Sequence, residues 1–191
     1  MACVCRASHP GILLQVITAN EFYNLSKRDA DIAVRTTRNP PEHLIGKMIG
    51  VMAMAVFGSR RYLQGHRSKN LSDHDWIAVD DSLGHNASLG WLAKIKPLDD
   101  VPYRTNSFTG VGQACVAGLG LAVLPCFIGD TQPALKRVTP VIDECANDLW
   151  ILTHPDLRNT VRVKTVFQAL QNEFGKAAPL LAGGRARKVV R

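Results

Sequence analysis

No run of apolar residues in this 191-residue chain approaches the ~20 needed to cross a bilayer. The N-terminus, MACVCRASHPG, has no extended apolar core and no signal-peptide layout, so a cytoplasmic protein without membrane attachment is expected. Several catalytic signatures are missing too. There is no G-x-S-x-G elbow for a serine nucleophile and no G-x-x-x-x-G-K-[ST] loop for a nucleotide phosphate. Gly110-Val111-Gly112 lacks the third glycine and the strand–turn–helix context of a dinucleotide site. Asp29 and Asp31 fall at the start of a strand rather than as a paired-carboxylate site. Cys3-x-Cys5 has no second Cys or His pair at ligand spacing, and the six histidines are scattered. No enzyme, no metal and no cofactor are expected. Internal repeats and low-complexity segments are likewise absent.

What is present is globular. Hydrophobic residues make up 46% and charged residues 20% of the chain, enough for one domain or two small lobes with real cores. The formal net charge is +7. Arg185, Arg187, Lys188 and Arg191 supply much of it from a short flexible tail, 183–191, that follows Gly183-Gly184. That distribution reads as a solvated basic tail rather than a nucleic-acid surface. Cys115, Cys126 and Cys145 stand in apolar or turn contexts, as small core hydrophobes do.

The most informative stretch is Asn106 to Pro125, NSFTGVGQACVAGLGLAVLP. Ser107 is a helix N-cap, and Phe108, Val111, Gly112, Cys115 and Leu119 recur at the spacing of one helix face. Gly118 and Gly120 stop the helix, Leu121 to Leu124 form a buried strand, and Pro125 ends it. With the preceding run Val101–Thr105 this makes a strand–helix–strand unit. Its helix N-terminus sits at a strand's carboxyl end, where open α/β sheets bind ligands and free N–H groups favour anions.

Elsewhere, strands are predicted at Gly11–Ile17, Asp29–Thr36, Val51–Phe57, Trp76–Val79 and Leu149–Thr153, with an edge-like run at Leu135–Val141. Helices are predicted at Ala19–Lys27 (Phe22 and Leu25 inward), Arg60–Gln64 behind the N-cap Ser59, Leu89–Lys94, Cys126–Gly129 and Arg158–Phe174. Glycines 46 and 50 read as breaks. Beyond Gly175 the helix fades, and Trp91 and Trp150 are assigned to the core. The alternation predicts an α/β protein with largely parallel strands. The chain leaves a first lobe (1–57 with 155–182), builds a second (58–154) and returns, leaving a cleft between them.

Six ordered segments carry a resemblance: HPGILLQV, NLSKRDADIAVR, VFGSRRYL, LSDHDWI, RTNSFTGVGQACVAGLGLAVLP and LWILTHPDLRNTVRVKTVFQAL. Together, from His9 to Phe174, they resemble the effector (substrate)-binding domain of LysR-type transcriptional regulators. The resemblance implies a two-lobed periplasmic-binding-protein-like (type 2) fold, a small-molecule inducer in the inter-lobe cleft and homo-oligomerisation through this domain. It also implies an N-terminally incomplete domain. The family's winged helix-turn-helix, its linker helix and the first strand and helix of the effector domain have no counterpart here, and DNA would be read only by that helix-turn-helix. A transporter's solute-binding protein of the same fold is the alternative.

Eight residues are candidates for holding an effector. The helix N-termini at Ser59, at Ser107 and after Pro125 each follow a strand and are expected to face one cleft. Both serines also read as plain caps, and Pro125 reads as packing. Arg35, at the end of a buried strand, can clamp an acid or serve a salt bridge, with the Thr36 hydroxyl beside it. Thr105 and Asn106 line the inducer pocket by resemblance or do ordinary turn chemistry. Thr153, on the second hinge strand, completes the set.

Overall fold

The computed structural model describes residues 9–18, 25, 29–83 and 86–184. Two compact units emerge. The first draws on Met1–Val51 and Asn147–Ala178, the second on Met52–Ala146 and Pro179–Arg191. The changeovers fall before the strands at 54 and 147, not near 57 and 154 as expected.

The first unit holds a three-stranded sheet of β1 (Ile32–Thr36), β2 (Ile45–Met52) and β8 (Asn147–Thr153), in the order β1-β8-β2. β1 and β8 are antiparallel, with Ile32 opposite Thr153 and Thr36 opposite Leu149. Gly46 and Gly50 lie inside β2 rather than breaking it. Val163 and Leu170 of the last helix, α5 (Val161–Leu181), are buried, as are Leu25, Ile151 and Leu152. Of the expected helix 19–27 only Leu25 is described, and it is buried; Phe22 lies outside the described residues.

The predicted strand Gly11–Ile17 is not a strand. Its backbone is irregular, with Leu13 97% and Val16 72% exposed. β-propensity reports how well a side chain fits a pleated, half-buried surface. Among the described residues no strand lies alongside to provide that surface.

The second unit is a five-stranded sheet in the order β5-β4-β6-β3-β7. Its strands are β3 (Met54–Ser59), β4 (Trp76–Val79), β5 (Tyr103–Thr105), β6 (Leu121–Pro125) and β7 (Leu135–Arg137). β4 is parallel to β5 and β6, because α2 (Ala87–Leu92) and α3 (Phe108–Ala117) make the crossovers between them. β3 is antiparallel to both β6 and β7. The sheet is therefore mixed, not largely parallel, and β7 takes the edge its short, Pro-limited sequence predicts. Short helices α1 (Arg60–Gly65) and α4 (Cys126–Gly129) complete the unit.

Phe57, Trp76, Ile77, Val111, Leu121 and Leu124 are at most 1% exposed, each worth roughly 1.5–3 kcal/mol of burial. Trp91 is only half-buried and meets Trp76 edge-on, with centroids 6.1 Å apart. Trp150 is likewise half-buried. Leu119, expected on the buried face of α3, is 44% exposed. Gly118 takes the left-handed conformation (φ 88°), which ends α3 and swings the next residue off its face.

The C-terminal segment is more ordered than its sequence suggests. α5 continues through Pro179 to Leu181. The Ala53 amide donates to Leu181 O at 2.9 Å. Arg137 pairs with Asp130, donates to Gly183 O at 3.0 Å and lies over the Phe57 ring. These contacts fasten the end of α5 and the turn after it. The Cys3-x-Cys5 pair and the basic residues of 185–191 lie outside the described residues.

Two outcomes follow from the packing. A Cβ at Gly120 would stand 2.4 Å from the Asp75 carbonyl oxygen, which is backbone and cannot give way. Gly120→Ala should therefore cost ~2 kcal/mol or more in chemical denaturation. Burial pushes the Cys115 thiol up to about 12, although a backbone hydrogen bond from Ser59 pulls the other way. A thiol raised this far adds stability that is complete below its unfolded value and lost as pH rises through the native one. Native protein at pH 8 should leave Cys115 unalkylated by iodoacetamide, as peptide mapping would show, and unfolded protein should label there.

Candidate functional site

β4, β5 and β6 run the same way, so their carboxyl ends share one edge of the second unit's sheet. Val79 is level with Thr105, and Ile77 with Ala122, which carries Pro125 to the same edge. The Asp80 amide donates to Thr105 O at 2.9 Å and locks the two strand ends together. The chain then turns through Asn106 into α3. Ser107, extended at φ −149° and ψ 143°, caps this helix as its Oγ accepts from the Gly110 amide at 3.1 Å. A Cβ at Gly110 would meet Thr105 Oγ1 at 2.9 Å and Ser107 Oγ at 3.1 Å, so the two hydroxyls are packed together over the first turn. Thr105, Asn106, Ser107 and Pro125 thus gather on one rim, and the ten-residue α3 points its positive end at it.

Ser59 does not join them. Met54 pairs with Pro125, and β3 runs antiparallel to β6. Ser59 stands five residues further along, about 17 Å away at the sheet's other end. It is 2% exposed, its Oγ accepts from the Tyr62 amide at 3.1 Å, and it lies beside Gly118 at the foot of α3. The concavity there, lined by Tyr62, His66 and Gly118 among others, is formed where α1 and α3 end. Ser59 is a cap, and the expectation that its helix and that of Ser107 share one anion site is corrected by the direction of β3.

In the first unit Arg35 and Thr36 occupy the carboxyl end of β1, opposite Trp150 and Leu149. Arg35 is half-buried, and burial lowers its pKa; like any arginine it keeps its charge at neutral pH. Thr153 lies at the opposite end of the same ladder, beside Ile32. It is 2% exposed, and its hydroxyl donates to Asp31 O at 2.8 Å. Three residue steps, about 10 Å, separate it from Arg35. It therefore does not extend their site, and it lines a separate cavity instead.

The LysR substrate binding domain family matches residues 4–175. The chain belongs to that family. A LysR-type regulator of Neisseria meningitidis, the HTH-type transcriptional regulator CrgA, is 24% identical over 179 residues, which is 87% of this chain. The chain spans 59% of the length of that relative. Among solved structures, the CrgA regulatory domain of Neisseria meningitidis superposes with a TM-score of 0.72 at 21% identity, covering 91% of this chain and 90% of that one. The effector domain of AmpR from Pseudomonas aeruginosa gives 0.70 at 16% identity, covering 93% and 87%. The LysR substrate-binding domain therefore has the two-lobed, periplasmic-binding-protein-like α/β fold of these structures.

Sequence reasoning missed two features of this LysR domain. One is the acidic corner of the rim. Asp80 accepts from the Ser82 Oγ at 2.5 Å and the Ser82 amide at 2.9 Å, while Arg104 donates to Asp81 at 3.0 Å. The D-D-S run at 80–82 was its signal, a side-chain-to-backbone turn two residues long. The other is the cavity at Thr153, whose lining residues lie far apart in sequence. Hydrogen bonds from Ser82, first its hydroxyl and then its amide, hold the Asp80 carboxyl below its usual pKa. Such a group stabilises above its unfolded pKa and loses the effect as pH falls through the native one. Ser82→Ala should shift the Asp80 titration upward in a carboxyl-carbon NMR titration.

Proposed function

We propose that this chain is the effector-binding part of a LysR-type transcriptional regulator that acts in the cytoplasm, and that the Thr105–Asn106–Ser107 junction holds a small organic anion. The membership of residues 4–175 in the LysR substrate binding domain family carries this reading. The rim supports it chemically. A ten-residue helix directs its amino-terminal amides at the rim and two hydroxyls crowd its first turn, while Asp80 beside them keeps its negative charge and favours a ligand held by the amides rather than one over Asp80. In the first unit Arg35 and Thr36, at the carboxyl end of β1, are the candidates for the same class of ligand.

We also propose that the two compact units are the family's two lobes. The whole regulator would be a homo-oligomer that reads DNA through a helix-turn-helix outside these residues. Its role would be binding rather than catalysis. The relatives are transcriptional regulators, which favours this reading over a transporter's solute-binding protein. Among the described residues no helix is long and apolar enough to cross a membrane.

The test is a titration of the chain with a panel of small carboxylates and their amides, read by calorimetry and melting temperature. A carboxylate at 100 times its dissociation constant should add about 2.7 kcal/mol of stability, and its amide should add less. Asn106→Asp places a negative charge at the rim and should weaken the carboxylate by about tenfold without unfolding the domain. Ser107→Ala should cost ~1 kcal/mol in stability from the lost cap alone. Carboxylate binding indifferent to Asn106→Asp would remove the rim from the site.

A further inference from the structure

The open depression between the ends of α1 and α3 lies wholly within the second unit and has no part in the proposed effector site. We infer that it is a ligand site of its own, for a planar nitrogen heterocycle carrying one anionic group, the chemistry that a purine mononucleotide shares with an indole acid. This goes beyond the effector reading and stands whether or not the rim binds anything.

A stacking platform is already assembled there. Tyr62 is 6% exposed; its amide donates to Ser59 Oγ at 3.1 Å, and its Oη accepts from the Asp75 amide at 2.9 Å. The exposed His66 lies flat against it, with ring centroids 4.0 Å apart and planes within 12°. His66 Nδ1 is 3.0 Å from Tyr62 O. A carbonyl oxygen only accepts, so Nδ1 carries the proton and Nε2 of the neutral ring is left as an acceptor. The next ring, His74, is tilted by 46° at 6.2 Å, and among the described residues no ring is stacked on the second face of His66. Another flat ring can take that face. A side chain fixed beforehand by a stack and a hydrogen bond gives up little freedom on binding it.

The surroundings set the rest of the ligand. Arg61 and Gly65 of α1, with Ala117 and Gly118 at the end of α3, complete the lining. Arg61 is exposed and has no carboxylate partner among the described residues; the same holds for Arg67, next to His66. No acid lines the depression. Asp73 is taken up by Ser68, Asn70 and Ser72, and Asp75 stands at the hydroxyl end of Tyr62. The carboxyl end of α3 presents carbonyl oxygens, which accept N–H groups. A ring with N–H groups toward α3 and Nε2 of His66, and an anion on the α1 side at Arg61, meets each of these groups. The volume is about 270 Å³. A cavity of roughly 150 Å³ accommodates benzene, so a fused bicycle fits. A Cβ at Gly65 would meet nothing within 4 Å, which leaves that side open for the anionic substituent.

The depression shares no residue with the Thr105–Ser107 rim and lies toward the opposite end of the sheet, where Ser59 stands beside Gly118.

The experiment is an NMR titration of the chain, read at the His66 ring and the Ala117 methyl. The ligands are adenosine monophosphate, adenosine (no anion), ribose 5-phosphate (no ring) and indole-3-acetate. Saturable shifts at both residues are expected with the monophosphate, and adenosine and ribose 5-phosphate should each bind at least ~10-fold more weakly. Indole-3-acetate separates the two sources: whichever anion binds more tightly names the class. Arg61→Glu changes an exposed side chain. It should weaken the monophosphate by ~10-fold or more, leave adenosine unchanged and leave the melting temperature as it is. Asn106→Asp should leave the His66 and Ala117 shifts as they are. Three results would overturn the inference: no saturable shift at His66 and Ala117 with either anion, equal affinity for the monophosphate and adenosine, or monophosphate affinity untouched by Arg61→Glu. Shifts confined to Thr105–Ser107 would sink this site while supporting the rim, so the two readings fail separately.

Discussion

The antiparallel ladder between β3 and β6 is the constraint on which the second unit turns. Val56 opposite Val123 and Met54 opposite Pro125 place two fully buried strands side by side. With β6 parallel to β4 and β4 parallel to β5, this register decides which strand ends share an edge. It puts Thr105, Ser107 and Pro125 together and sends Ser59 to the far side. On its other side β3 pairs with β7, which sets Phe57 opposite Arg137, and the Ala53 amide just before β3 holds Leu181 O. A one-residue slip would exchange the two faces of β3, both of which are buried, and force every side chain into packing built for its neighbour. The register is therefore strongly held, and the rim inherits its precision from the core.

The two units differ in how completely their sheets are used. In the second, β4, β6 and β3 are interior strands, buried at every residue. In the first, among the described residues, β8 is the one interior strand, and β1 and β2 are half-exposed on either side of it. Leu13 and Val16 stand exposed nearby in sequence, without a ladder. Exposed apolar groups contribute nothing to burial, so the first unit relies on Ile151, Leu152 and the inner face of α5.

Local chemistry was legible wherever neighbouring residues decide it. Ser107 and Ser59 cap the helices that follow them, Gly118 ends α3 in a left-handed turn, and Trp76–Val79, Leu121–Pro125 and Leu149–Thr153 are strands. Each follows from a short-range rule of capping, glycine conformation or apolar runs. The failures share a cause as well. Gly11–Ile17 has strand-forming residues but no partner. Gly46 and Gly50 read as breaks, yet the pairing of β2 in a sheet overrides them. Past Gly175 the helix runs on to Leu181, whose carbonyl meets the Ala53 amide from elsewhere in the chain.

The gathering of the candidate site divides along the same line. By itself the sequence determined the cap at Ser107, the helix behind it and the family to which the ordered segments belong, because these depend on residues within a turn or a strand of one another. Only the tertiary structure decided that Ser59 is excluded from the rim, that Thr153 is separated from Arg35, and that Ile45, Arg158, Lys164 and Phe167 line one open depression. Strand direction and register are set by pairing between segments tens of residues apart, and no local pattern states whether a strand will run with its neighbour or against it.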